Sequence, residues 1–371
     1  MDINFVIPCL LGVESFIAEE MRSLDCKNVN AENGRVLFSG DENILARANI
    51  CSHFAERIQI LVGTFEARSF EELFQGTKNL PWEEWIGPQD EFPVKGYSIN
   101  STLFSVSDCQ SIIKKAVVDR LKSKYNIEWF EETGPVHQIQ FSIMKDKVSL
   151  LLDTSGAGLH KRGYRTEANE APIKETLAAA LCSAARVRHY HTLYDPMCGS
   201  GTILIEGALL AHNIAPGLKR RFSAERWDVI PREVWSEERE RAKDLIVRES
   251  EFCAYGSDID ENALHKAEQN AARAGVKSKI KFEKCDIKDF VMKTEKGTVI
   301  CNPPYGERLL DIEQAQSLYK IMGQRFTPAR GRAYYIISPS EEFERDFGRK
   351  ADKRRKLYNG MIKCQLYMYF K

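Results

Sequence analysis

The sequence predicts an α/β protein: a doubly wound, mostly parallel sheet with an antiparallel last strand, preceded by two small α+β units. Three observations predict it. From about residue 173, helical apolar spacing alternates with short apolar runs, the pattern of parallel strands joined by crossover helices. Before that point the alternation is quicker, and two β-like runs at 137–144 and 148–153 flank Lys145-Asp146-Lys147 as a hairpin. Near the end, Asn359-Gly360 joins a closing hairpin. A length of 371 residues also favours two or three domains over one.

In order, residues 5–10 suggest a strand, 14–24 a helix on Phe16, Ile17, Glu20, Met21 and Leu24, and 35–38 a strand after the Asn33-Gly34 turn. A helix at 41–50 and a strand at 57–62 complete a split βαβ unit. A second unit has a helix at 69–75, an extended run at 95–103, and a helix opened by a capping box at Ser107-Asp108-Cys109-Gln110. The C-terminal half alternates helix 173–190, strand 193–194, helix 202–212, strand 252–256, helix 261–273, strand 280–282, strand 298–301, helix 313–326 and strand 333–337. Asp260 is placed to cap one of these helices and Gly275 to end it. A charged insertion occupies about 213–250, with a helix at 236–249.

Composition narrows the function. No apolar run approaches the roughly 18 residues of a membrane span, and Met1 to Phe5 lacks the basic start of a secretory signal, so no membrane partner is expected. Ten scattered cysteines without a C-x-x-C pair suit a thiol-rich cytoplasmic enzyme better than a disulfide framework or a metal site. The balance of 53 basic and 53 acidic side chains hides an asymmetry. Residues 1–165 carry 18 basic and 23 acidic groups, and the remainder carries 35 and 30. Basic knots at Lys161, Arg162 and Arg165, and at Lys219-Arg220-Arg221, offer phosphate contacts.

Chemistry concentrates at four strand ends. Asp195-Pro196-Met197-Cys198-Gly199-Ser200-Gly201-Thr202 joins a strand to a helix, and its glycines let backbone approach a ligand closely. Leu204 replaces the third glycine of a dinucleotide fingerprint, and a phosphate loop's Gly-Lys-Ser/Thr is absent, which disfavours NAD-dependent reduction. D-x-x-x-G-x-G fits the loop of an S-adenosylmethionine (AdoMet) enzyme, with Asp195 facing the amino-acid end of the cofactor. Asp258 ends the next strand and is suited to ribose hydroxyls, while Asp286 suits the adenine amino group; Ile259 and Ile287 flank them in the cofactor set. The sharpest signal is Asn302-Pro303-Pro304-Tyr305 after a buried strand. Two prolines stiffen the turn, so the Asn302 side-chain oxygen and the Pro303 carbonyl can face both hydrogens of an exocyclic amine. Tyr305 offers a face for an extruded base. Cys198 has no evident base nearby, and Glu206 is equally a buried partner or a cofactor-side acceptor.

These motifs resemble the N-P-P-Y amino-methyltransferases of class I. Leu152-Asp153-Thr154-Ser155-Gly156 with Leu159-His160-Lys161-Arg162-Gly163-Tyr164-Arg165 is similar to the end of a THUMP domain. With Ala171-Pro172-Ile173-Lys174-Glu175-Thr176-Leu177 and Asn302 through Leu309, the chain resembles the large-subunit rRNA guanine-N2 methyltransferase L family. The resemblance implies a ferredoxin-like domain at 1–65, an RNA-binding THUMP domain at 66–156, a linker at 157–172 and a Rossmann-like AdoMet-dependent methyltransferase domain at 173–371. It implies RNA as partner, rRNA first and tRNA as the alternative, with Arg308 joining the basic knots at the substrate. Long members of that family carry a second methyltransferase domain, and none is expected within these 371 residues. Two rivals remain: an adenine-N6 DNA methyltransferase, and a non-catalytic RNA-binding or ribosome-assembly factor.

Overall fold

The computed structural model describes residues 2–165, 173–305 and 312–370, and these build two seven-stranded sheets. The first half runs β1 (Ile3–Pro8), α1 (Glu14–Ser23), β2 (Lys27–Glu32), β3 (Arg35–Gly40), α2 (Glu42–Cys51), β4 (Gln59–Glu66), α3 (Phe70–Lys78), β5 (Val94–Ile99), α4 (Val106–Tyr125), β6 (Ile139–Met144) and β7 (Lys147–Asp153). Its sheet has the order β2-β3-β1-β4-β7-β6-β5. Strand β4 pairs with β1 through Gln59 and Ile60 and with β7 along its length. The two N-terminal units therefore share one sheet, which no local pattern announces. Strand β2 was not expected: its residues (Lys27-Asn28-Val29-Asn30-Ala31-Glu32), exposed but for the half-buried Val29 and Glu32, form a polar edge without apolar alternation. The capping box expected at Ser107 does not form. Helix α4 starts two residues earlier, after Ser105, and the Gln110 amide donates instead to the Val94 carbonyl at 3.0 Å. Ser69 and Glu72 make a complete box on α3.

The second half runs α5 (Glu175–Ala184), β8 (Thr192–Asp195), α6 (Thr202–Ala211), α7 (Arg232–Asp244), β9 (Cys253–Asp258), α8 (Glu261–Ala274), β10 (Ile280–Lys284), β11 (Gly297–Cys301), α9 (Ile312–Arg325), β12 (Arg332–Ser338), α10 (Phe343–Phe347), β13 (Lys353–Asn359) and β14 (Ile362–Tyr369). The order β10-β9-β8-β11-β12-β14-β13 is doubly wound, with β14 antiparallel between β12 and β13. All five residues of β11 are buried, as a central strand covered on both faces requires. Helix α8 has the expected ends: the Asp260 side chain accepts from Asn262 N at 2.9 Å, and Gly275 is left-handed at φ 81°. Helix α5 stops at Ala184, short of the expected 190, because Arg186 turns left-handed and Val187 N bonds back to the Cys182 carbonyl.

The insertion expected at 213–250 buttresses the two sheets. Arg47 of α2 grips Glu238 of α7 in a two-pronged ion pair at 2.8 and 2.9 Å. Gly217 N reaches the Ile50 carbonyl at 2.8 Å, where a Cβ would stand 2.7 Å from the Ile50 backbone. The Trp227 indole donates to the Val136 carbonyl at 3.0 Å, and its ring stacks on His137. No helix among the described residues is long and apolar enough to cross a membrane.

Candidate active site

Four neighbouring strands, β10, β9, β8 and β11, end at the carboxyl edge of the second sheet where the strand order reverses. Ligands of open α/β sheets bind at such a switch point. Asp195 ends β8 and is 2% exposed. It accepts one long bond, from Met197 N at 3.3 Å, and enters no ion pair among the described residues. Burial, reinforced by the charge of Asp258, raises its carboxyl to about 8. Such a group is suited to a cation, which would restore the ionised form.

The loop after Asp195 is tied to the next strand end. Cys198 N donates to the Ser257 carbonyl at 2.9 Å, and Gly199 N donates to Asp258 Oδ2 at 2.8 Å. Gly199 and Gly201 are left-handed, at φ 51° and 80°. A Cβ on Gly201 would press Ala267 at 3.0 Å, whereas nothing lies within 4 Å of the Gly199 position. One glycine thus packs the loop onto α8, and the other leaves its backbone open to a ligand. The Ser200 side chain is buried and its carbonyl accepts from Asn270 at 3.1 Å; Thr202 opens α6.

Asp258 also accepts from Asp260 N at 3.0 Å, which aims its carboxylate along the edge. Beside it Ile259 is 66% exposed, an apolar side chain that gains by covering a flat ring. Asp286 accepts from Lys288 N at 3.0 Å, and that bond with the Lys288 ammonium holds its carboxyl below the usual range. The Ile287 side chain is buried in a cluster with Tyr194 and Phe290. Cys198 is buried and burial drives its thiol well upward, so it is no nucleophile. Burial does the same to Cys301, with further upward pushes from Asp195, Asp258 and Cys198, which marks these groups as neighbours.

Asn302 follows β11 directly. Its side-chain oxygen is buried and accepts no hydrogen bond from the described residues. A buried acceptor left alone costs about 1–3 kcal/mol, so a donor belongs there. Pro303 is buried, and Pro304 and Tyr305 are half-buried. The Tyr305 hydroxyl accepts from the Asn359 amide at 2.7 Å, and burial raises its phenol. That bond ties the turn to the β13–β14 hairpin, a partnership sequence reasoning missed although Asn359-Gly360 marked the hairpin's turn.

The basic residues expected at RNA divide. Lys161 is exposed, and Arg221 is exposed beside Glu225 at 3.0 Å. Arg162 is buried, bonded to the Leu159 and His53 carbonyls and 3.5 Å from the fully buried Glu206, so it cannot reach an RNA phosphate. Glu206 is its structural partner and also accepts from the Tyr164 hydroxyl at 2.9 Å. Arg165 likewise turns inward, to Thr202 Oγ1 at 2.8 Å and Glu175 at 3.5 Å. Arg220 clamps the carbonyls of Ala157, Gly158 and Lys161. Arg308 lies outside the described residues. Replacing Arg162 with Met strands the Glu206 charge in the core, and urea denaturation is expected to show a loss of about 3 kcal/mol.

Comparison with known proteins agrees with this geometry. The family profile described as "RMKL-like, methyltransferase domain" matches residues 162–368, "RlmL ferredoxin-like domain" matches 4–59, and "THUMP domain" matches 67–153. The chain is 43% identical to the Bacillus subtilis protein called "Putative RNA methyltransferase YpsC", over 97% of this chain and 94% of that one. It is 33% identical to the "Ribosomal RNA large subunit methyltransferase K/L" of Psychromonas ingrahamii, over 99% of this chain but 50% of the relative, so it spans about half of that protein. A crystal structure from Listeria monocytogenes, described as a predicted N6-adenine-specific DNA methylase, superposes with a TM-score of 0.94 at 44% identity, covering 100% and 96% of the two chains. A second, of a protein provisionally called a methyltransferase and complexed with S-adenosylhomocysteine (SAH), gives 0.95 at 39% identity, covering 100% and 98%.

Proposed function

The chain belongs to the RMKL-like methyltransferase family, which uses AdoMet, and from that premise we propose that it methylates an exocyclic base amine of RNA, guanine-N2 of 23S rRNA first. The observation that carries this reading is the orphaned Asn302 oxygen, a buried acceptor just past the end of β11, the strand paired in parallel with the one that Asp195 ends. In this reading Asp195 takes the cofactor's ammonium, Asp258 the ribose, Asp286 the adenine amine, and Ile259 a face of the adenine. AdoMet supplies an electrophilic methyl group on a sulfonium. Asn302 Oδ1 and the Pro303 carbonyl accept the two N–H bonds of the target amine, Pro304 stiffens the turn, and Tyr305 stacks on the base. As nitrogen bonds the methyl carbon, the C–S pair returns to sulfur, and the surplus proton leaves the amine for solvent.

The residue ranges 1–65, 66–156, 157–172 and 173–371 serve as ferredoxin-like, THUMP, linking and catalytic segments. Lys161 and Arg221, with the exposed Lys219, are the phosphate contacts that remain from the basic knots. Replacing Lys161 or Arg221 with Ala is expected to lower the salt slope of RNA affinity by about one, which filter binding from low to high salt measures.

Mass-spectrometric mapping of nucleosides in RNA from cells lacking the protein tests the assignment. Loss of one N2-methylguanosine from 23S rRNA is expected. Loss from tRNA instead would move the substrate, and loss of N6-methyladenine from DNA with no change in RNA would overturn the reading. The latter outcome matters because the Listeria structure is described as acting on DNA.

A further inference from the structure

Met361 is 99% exposed at the tip of the β13–β14 hairpin, and its neighbour Ile362 is 49% exposed. The sheet register places that tip. Strand β14 pairs antiparallel with β12, and the last pair, Ser338 with Gln365, lies at the carboxyl end of β12. The chain between Asn359 and Ile362 therefore projects past the same edge that carries Asp195, Asp258 and Asn302. It is joined to the candidate catalytic turn, because Asn359 donates to the Tyr305 hydroxyl at 2.7 Å and Cys364 lies 4.0 Å from that oxygen.

Met361 and Ile362 together make a contiguous apolar patch at the tip rather than a single scattered side chain. The surrounding charge indicates what covers this one. Residues 353–371 hold six basic side chains and no acidic one. Lys356 and Lys363 are exposed and enter no ion pair among the described residues. Arg354 and Arg355 are occupied, by Glu344 and by the Gly12 carbonyl with Ser15, and serve the fold. The register puts Lys356 and Lys363 on one face of the hairpin behind the apolar tip, with the Lys356 ammonium 5.5 Å from the Tyr358 ring centroid, so a base stack met by the tip has cations beside it for its phosphates.

We propose that Met361, backed by Ile362, is a wedge that enters the RNA stack and fills the place of the extruded target base, with Lys356 and Lys363 on the flanking phosphates. The inference rests on the RNA-methyltransferase reading. Extruding a base is costly when the base is paired and much less so when it is unpaired. A side chain that fills the gap lowers that cost only for the paired substrate.

The test uses full-length protein and two synthetic RNAs carrying the mapped site, one with the target guanine paired and one with it unpaired. Met361→Ser is expected to slow methylation of the paired RNA about tenfold or more while leaving the unpaired RNA within about twofold. With 2-aminopurine in place of the target base, the fluorescence rise given by the wild type on the paired RNA is expected to disappear in the variant. SAH affinity stays unchanged, which shows the fold intact. An equal loss on both RNAs, or no loss on the paired one, overturns the wedge. Wild-type protein that transfers no methyl group to either RNA while binding SAH refutes the substrate reading and the wedge with it.

Discussion

Asn302→Ala is expected to reduce kcat for methyl transfer by about 10² to 10³-fold while SAH affinity stays within about twofold, as measured by single-turnover transfer and calorimetry. The reasoning starts from the side-chain oxygen, which is buried and has no donor among the described residues. A target amine donates to it, and the bond strengthens as positive charge grows on the nitrogen during attack. An interaction that strengthens toward the transition state affects kcat more than binding. Alanine removes it without touching Asp195 or the Gly199 loop, so cofactor binding has no reason to change. Asn302→Asp keeps an acceptor at the same place and is expected to retain more activity than alanine. A variant that still methylates at the wild-type rate would remove Asn302 from the chemistry.

The features legible in the sequence were those settled within a few residues. Asp260 and Gly275 cap α8 through contacts spanning one turn, so residue type and spacing sufficed. β11 and the Pro-Pro turn after it were equally plain, since a continuous apolar run needs a covered central strand. Features settled by partners far along the chain were not legible. Arg162 looks like a surface cation beside Lys161, yet Glu206, 44 positions away, and the His53 carbonyl hold it in the core. Strand β4 has one pattern but two partners, and only the assembled sheet shows that it joins both N-terminal units. Ser107 and Gln110 have the spacing of a capping box, but Val94 offers Gln110 a carbonyl that local reasoning could not see. The net signs of the two halves say nothing of their contact either: Arg47 with Glu238 joins them through a base of the acidic half and an acid of the basic half.

Asp195→Asn is expected to weaken SAH binding by at least about tenfold at pH 8 and to flatten its dependence on pH. In the unliganded protein the carboxyl titrates near 8, because burial penalises its charge and Asp258 adds to the penalty, against one weak bond from Met197. A ligand ammonium favours the ionised form, so below pH 8 binding must release the Asp195 proton. Affinity therefore rises with pH toward 8, by up to about tenfold per unit. Well above 8 the ligand's own α-amino group, held above the peptide value of about 7.7–8.0 by the carboxylate on the same carbon, loses its charge and affinity falls again. The wild type should thus bind SAH most tightly above pH 8, between the titration of Asp195 and that of the ligand ammonium. At pH 6.5, calorimetry in buffers of different ionisation enthalpy should record close to one proton released. The neighbouring thiols of Cys198 and Cys301 stay protonated throughout, since burial raises both, and contribute no proton. Asparagine has no proton to lose and no charge to offer the ammonium, so its residual binding should follow only the ligand's titration. A wild-type affinity that is flat from pH 6 to 8, with no proton released, would mean that Asp195 does not meet the ammonium.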